Sequence, residues 1–182
     1  MRKIIVSTMV SVDAVMENPQ FWSFDYWSDE LGQYVSEQLF AADTLLMGRI
    51  TYEGFAQAWS SRAGSDAFAD RMNSLPKYVA SRTVKGPLDW NAKLLEGDVA
   101  AAVAHLKQQP GEDILQYGCG ELTHTLIQQG LVDELRLVVF PVAVGNGGRI
   151  FANIDKVGLK LLHNKTFDSG VMAVHYQPVQ AA

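Results

Sequence analysis

Leu45-Leu46-Met47-Gly48-Arg49-Ile50-Thr51-Tyr52-Glu53 reads as an apolar strand, a glycine turn and the first turns of a helix. A junction of this kind turns the free amides of the helix N-terminus outward, where they attract anions. The guanidinium of Arg49 and the hydroxyl of Thr51 stand beside Gly48, a donor set that fits phosphate. Two more stretches follow the same plan. Tyr78-Val79-Ala80-Ser81-Arg82-Thr83 ends a strand with two hydroxyls flanking a guanidinium, a clamp suited to a phosphomonoester. Ile114-Leu115-Gln116-Tyr117-Gly118-Cys119-Gly120-Glu121-Leu122 ends another with glycines that let the backbone approach a pyrophosphate closely. Three anion-ready strand ends in one chain point to a phosphorylated dinucleotide.

Outward from these junctions, strand-like runs at residues 3–9, 44–47, 77–81, 113–117 and 135–141 alternate with helical patterns. Residues 29–42 place Leu31, Val35, Leu39 and Ala42 on one stripe. Residues 98–108 do the same with Val99, Val103 and Leu106 behind Asp98 as N-cap. Residues 121–129 carry Leu122 and Leu126 on one face and stop at Gly130. This alternation predicts an α/β domain. Residues 159–167 and 171–177 flank Asp168-Ser169-Gly170, which predicts a closing antiparallel hairpin and therefore a mixed sheet. Residues 60–65 and 82–91 read as flexible surface excursions, and no linker or repeat divides residues 1–182, so one domain is expected.

The composition, 48% hydrophobic and 19% charged over 182 residues, predicts a packed core. A net charge of -5 argues against nucleic acid or an anionic membrane as partner. The single cysteine, Cys119, allows no intramolecular disulfide, and four scattered histidines show no metal-ligand spacing, so a reducing, cytoplasmic setting without metal is expected. The opening Met1-Arg2-Lys3-Ile4-Ile5-Val6 reads as a first strand, because Ser7, Thr8, Ser11 and Asp13 break any signal-like apolar run. A dinucleotide fingerprint G-x-G-x-x-G would need glycine where Thr123 stands, and neither a triphosphatase loop nor a hydrolase elbow is present.

Five motifs occur in order: Gly48-Arg49-x-Thr51-Tyr52-Glu53, Val79-x-Ser81-Arg82-Thr83, Gly118-x-Gly120-x-Leu122, Leu131-Val132-Asp133-Glu134-Leu135, and Pro141-x-x-x-Gly145-x-Gly147 to Phe151. Together they resemble the dihydrofolate reductase-like superfamily, and most closely the group sharing its fold with the riboflavin-biosynthesis pyrimidine reductase domain. The resemblance runs from Ser11-Val12-Asp13 to the final hairpin. It implies an eight-stranded mixed sheet with helices on both faces, a homodimer, and NADPH lying across the carboxyl ends of the strands. It assigns Gly48, Arg49 and Thr51 to the cofactor phosphates, and Ser81 and Arg82 to the adenosine 2'-phosphate, with Arg49 able to share it. Gly118, Gly120 and Glu121 would line the pyrophosphate, with Leu122 beginning the packed helix.

On the substrate side, Ser11-Val12-Asp13-Ala14 stands where the group has Ser-x-Asp-Gly, and Asp13 is the candidate for proton delivery. Within Phe21-Trp22-Ser23-Phe24-Asp25-Tyr26-Trp27, Trp22 is the candidate to stack a planar heterocycle. Asp29 or Glu30 falls where folate reductases orient the pterin, and Tyr52 is open between helix packing and the pocket edge. Cys119 reads as filling a crowded turn, Asp133-Glu134 as a solvated corner, and His175 as structural or at a subunit contact. The resemblance leaves three activities open. One is an NADPH-dependent reductase of a pterin- or pyrimidine-like heterocycle. Another is the 5-amino-6-(5-phosphoribosylamino)uracil reductase of riboflavin biosynthesis, needing a further phosphate ligand such as Arg149 or Lys156 and a separate deaminase. The last is a non-catalytic NADPH-binding protein.

Overall fold

The computed structural model describes residues 1–179; positions 180–182 of the expected domain lie outside them. Eight strands, β1 (Ile4–Ser11), β2 (Ala42–Gly48), β3 (Lys77–Ala80), β4 (Ala92–Leu94), β5 (Asp113–Tyr117), β6 (Glu134–Phe140), β7 (Gly158–Thr166) and β8 (Met172–Val179), form one sheet. Their spatial order is β4-β3-β2-β5-β1-β6-β8-β7. β1 to β6 are mutually parallel, and β8 runs against both its neighbours, β6 and β7. The hairpin closes as expected, with Gly170 in the left-handed region at φ 82° and its amide donating to Phe167 O at 2.8 Å.

Five helices cover the sheet: α1 (Asp29–Ala41), α2 (Arg49–Trp59), α3 (Ala67–Ser74), α4 (Val99–Gln108) and α5 (Glu121–Gln128). Strand periodicity decides which face each residue serves. Ile4, Val6, Leu46, Ile114 and Leu135 point to one core, against Val103 and Leu106 of α4 and Leu126 and Ile127 of α5. The alternate residues Ile5, Leu45, Met47, Val79 and Leu115 point to the other, against Leu39 of α1, Tyr52 of α2 and Met72 of α3. A third cluster beneath the antiparallel end joins Leu31 to Val138, Phe140, Phe167 and Val171.

Several expectations change. β4 and α3 were not anticipated, and the 82–91 excursion is pinned at its far end. There Trp90 Nε1 donates to Asn73 Oδ1 at 2.6 Å, and Asn91 Nδ2 to Ser74 O at 2.8 Å. Asp133-Glu134 is not a solvated corner. Asp133 Oδ2 accepts from Ile4 N at 2.8 Å and Lys107 Nζ at 2.5 Å, while Glu134 Oε1 accepts from Arg136 Nε at 2.7 Å. Asp133 joins β1 to α4, and Glu134 joins β6 to β8 through His175 Nδ1 at 2.8 Å.

Candidate functional site

The three strand ends singled out in the sequence are neighbours in space. β3, β2 and β5 lie side by side and parallel, and Gly48, Ser81 and Gly118 sit at or just past their carboxyl ends. α2 starts on Gly48 and α5 on Gly120, and neither N-cap has a side chain that accepts a first-turn amide. The other three helices are capped from within: Leu31 N donates to Ser28 Oγ at 3.2 Å, Ala69 N to Asp66 Oδ1 at 2.8 Å, and Ala101 N to Asp98 Oδ1 at 2.8 Å. The two helices beside the strand ends therefore keep their positive poles and amides open.

Local geometry draws the walls together. Gly118 has φ 83°, and a Cβ there would lie 3.0 Å from Thr51 Oγ1, so glycine lets the α5 turn approach α2. Thr123 Oγ1 donates to Gly118 O at 3.2 Å and accepts from Gln116 Nε2 at 2.5 Å, which fixes the turn from beneath. Ser81 Oγ accepts from Thr83 N at 3.2 Å and Val84 N at 3.0 Å, folding the β3 exit back on itself. Across the gap Arg82 pairs with Glu121 at 3.0 Å, and Arg49 pairs with Glu53 at 2.9 Å. Exposed pairs of this kind contribute about 0–1 kcal/mol, so both guanidinium groups are readily surrendered to a phosphate. Glu121 offers its backbone amide, whereas its carboxylate is held by Arg82. Leu122 turns into the core, and Cys119 is fully buried, its thiol pushed up to about 12 by that burial and so unreactive.

Beside this cradle, the exit of β1 is sewn to residues 142–150. Asp13 Oδ1 accepts from Ser11 Oγ at 2.6 Å and Val144 N at 3.0 Å, and Oδ2 from Gly145 N at 2.8 Å. These bonds hold the carboxyl well below the usual carboxylate range, the Ser11 hydroxyl contributing most. The same bonds tie Asp13 to the backbone of residues 144 and 145, which makes it a positioning residue for this seam. Gly147 completes the seam: its φ is 128°, and a Cβ would come within 2.8 Å of Val15 Cγ1. Ala14, where the resembled group has glycine, takes φ 67°, a conformation L-residues adopt at a cost of about 1 kcal/mol.

The substrate-side candidates are not brought to this edge. Trp22 is buried, its ring in a T-shaped contact with Phe140 at 5.5 Å and its Nε1 donating to Glu17 O at 3.0 Å, so it packs in the cluster beneath the antiparallel end. Tyr52 is buried too, its hydroxyl donating to Asp89 O at 3.1 Å, so it packs between α2 and the 82–91 segment. Asp29 is exposed on the first turn of α1, and neighbouring Glu30 pairs with Lys165 at 2.9 Å. Arg149 donates to Asp13 O at 3.1 Å and Gly145 O at 2.7 Å, so the seam engages the guanidinium suggested for a substrate phosphate; Lys156 is exposed. Sequence reasoning missed Gln116, near the end of β5, buried with its Oε1 unpartnered among the described residues. The available signal was a polar residue in an otherwise apolar run.

These features fit a dinucleotide: two open helix poles, adjacent cations, a glycine-backed cleft and an unpartnered buried amide oxygen beneath it. Comparisons with known proteins agree on the fold. The chain is 31% identical to the uncharacterized protein YyaP of Bacillus subtilis (strain 168), over 96% of this chain and 94% of that one. A Shewanella sp. PV-4 protein carrying a riboflavin-biosynthesis name superposes with TM-score 0.75 at 18% identity, covering 98% and 99% of the two chains. RibD of Acinetobacter baumannii superposes with TM-score 0.63 at 17% identity; this chain is covered over 99% but spans only 59% of that protein. The profile of the RibD C-terminal domain matches residues 2–173, and the chain belongs to that family, within the dihydrofolate reductase-like superfamily.

Proposed function

We propose that the protein is an NADPH-dependent reductase that transfers a hydride to a small pterin- or pyrimidine-like heterocycle, working as a homodimer. The observation that carries this reading is the pair of glycine-started helices at adjacent strand ends, with Arg82 past the end of the neighbouring β3 and paired with Glu121 of α5. The first-turn amides of α2 and α5 bind the cofactor's bridging phosphates, with Thr51 and Arg49 at one side. Arg82 leaves Glu121 to meet the 2'-phosphate, and Ser81 adds a hydroxyl. NADPH, when bound, supplies the hydride. The chain's part is to hold the acceptor against the ring and exclude competing reactions. Asp13 keeps residues 144–145 against the β1 exit as the far wall of the site, and proton delivery is assigned to water. Family membership supports a reductase of the pyrimidine type.

The test is NADPH consumption by purified protein against 5-amino-6-(5-phosphoribosylamino)uracil, its dephosphorylated form and dihydropterin. Saturable turnover with one of these, with an increased KM for NADPH in Arg82→Ala, is expected. NADPH binding without turnover of any acceptor would overturn the reductase reading and leave a nucleotide-binding protein.

A further inference from the structure

The antiparallel end of the sheet carries a second polar concentration, on the face that α1 covers. Along β6 the inward side changes from the apolar Phe140 and Val138 to Arg136 and Glu134. Register sets Arg136 opposite His175 of β8, and His175 opposite His163 of β7, so a guanidinium and two imidazoles form a row across three strands. Gln38 and Tyr34 of α1 lie over this row, and together they line a cleft of about 370 Å³. Such a volume suits a small molecule. Arg136 lies on β6, separated by β1 from the nucleotide cradle at the carboxyl ends of β2, β3 and β5.

Most polar atoms here are already committed. Glu134 Oε1 accepts from Arg136 Nε at 2.7 Å and pairs with His175 Nδ1 at 2.8 Å. His175 Nε2 meets the Tyr34 hydroxyl at 2.7 Å, and that phenol is pushed up to about 12, chiefly by burial. Lys165, on the rim, pairs with Glu30 at 2.9 Å, and the exposed Glu37 accepts from Gln33 at 2.9 Å. Besides the exposed His163, two groups remain uncommitted. Gln38 is 6% exposed, yet its Oε1 has no hydrogen-bond partner among the described residues. The terminal nitrogens of Arg136 likewise make no hydrogen bond among the described residues, although its side chain is only 19% exposed. The buried amide oxygen carries a cost unless a donor meets it, and the Arg136 fork stands open on the same cleft wall, ready for an anion.

We propose that this cleft is a second small-molecule site, for a ligand bearing an oxyanion beside an O–H or N–H group. The oxyanion sits on the Arg136 fork with His163 alongside, and the ligand's own donor satisfies Gln38 Oε1. Two carboxylates stand near: Glu134 is engaged by Arg136 and His175, and Glu37, on the exposed rim of the cleft, accepts from Gln33 and is offset by Lys165 and the Arg136 guanidinium.

The experiment follows the imidazole resonances of the full chain by NMR while sodium glycolate, acetate, phosphate or chloride is added. Glycolate carries a carboxylate and a hydroxyl, acetate the carboxylate alone. Saturable shifts at His163 and His175, and none at His105 or His124, are expected with glycolate but not with chloride. Glycolate should bind about fivefold tighter than acetate, and Gln38→Leu should abolish that difference. His163→Gln, a substitution on an exposed strand, should weaken glycolate severalfold, and Arg136→Gln at least about tenfold if it folds. A stronger response to phosphate than to glycolate assigns the oxyanion to a phosphate ester, and the reverse to a carboxylic acid. Shifts that follow ionic strength alike for all four salts, or glycolate binding unchanged in Gln38→Leu and His163→Gln, would overturn the site.

Discussion

α3 and α4 begin on Asp66 and Asp98, whose carboxylates take a first-turn amide each, whereas α2 and α5 begin on Gly48 and Gly120 and leave those amides unspent. The difference follows position, not helix quality. The glycine-started helices stand at the carboxyl ends of neighbouring strands, where a ligand can reach both poles. A glycine N-cap costs only a few tenths of a kcal/mol relative to a capping side chain, so the fold keeps two anion sites open at small expense. Thr51, Arg49, Ser81 and Arg82 then collect around them. This contrast separates residues that hold the fold from residues held ready for a phosphate.

Filling one open end is the strongest way to break the contrast. At Gly48 the backbone has ordinary angles and a Cβ there would meet nothing within 4 Å, so Gly48→Asp should fold. Thermal denaturation should show unchanged or slightly raised stability, while NADPH affinity by fluorescence titration falls about 100-fold or more, because a fixed carboxylate replaces the phosphate. Removing the neighbouring cation sharpens the picture: Arg82→Ala should weaken NADPH about tenfold and leave NADH unchanged. The opposite pattern belongs to a capped helix. Asp98→Ala should cost about 1 kcal/mol in chemical denaturation and leave both nucleotide affinities alone.

The smallest effect is one of pH. The Ala69 amide holds the Asp66 carboxyl below its ordinary 3.8, so the folded chain gives up that proton more readily than the unfolded one. The stability gained is complete above the ordinary carboxylate range and is lost as pH falls through the folded value. Asp66→Asn keeps an N-cap but should flatten this part of the acid limb when denaturation midpoints are compared above and below that range. Gly48 and Gly120 contribute no such limb.

The cradle was legible because its parts are local: a glycine, a guanidinium and a hydroxyl within a few residues of an apolar run announce a strand end whatever lies elsewhere. The substrate side was less legible because its partners are remote. Asp13 looked like a free acid until the amides of Val144 and Gly145 were found on it, and Asp133 looked solvated until Lys107 and Ile4 closed on it. The burial of Trp22 was hidden for the same reason, since its partner Phe140 lies on β6, far along the chain. β4, only Ala92-Lys93-Leu94, offers too short a pattern for alternation to register. The mixed sheet was legible from its hairpin turn, but the polar row under α1 was not, because it exists only through the pairing of β6, β8 and β7.

The most direct measurement is a fluorescence titration of the unmodified chain with NADPH and with NADH. Open helix poles joined to Arg82 predict saturable NADPH binding about 100-fold or more tighter than NADH. No saturable binding of either nucleotide, or equal affinity for both, would contradict the assignment of these strand ends to a phosphorylated dinucleotide.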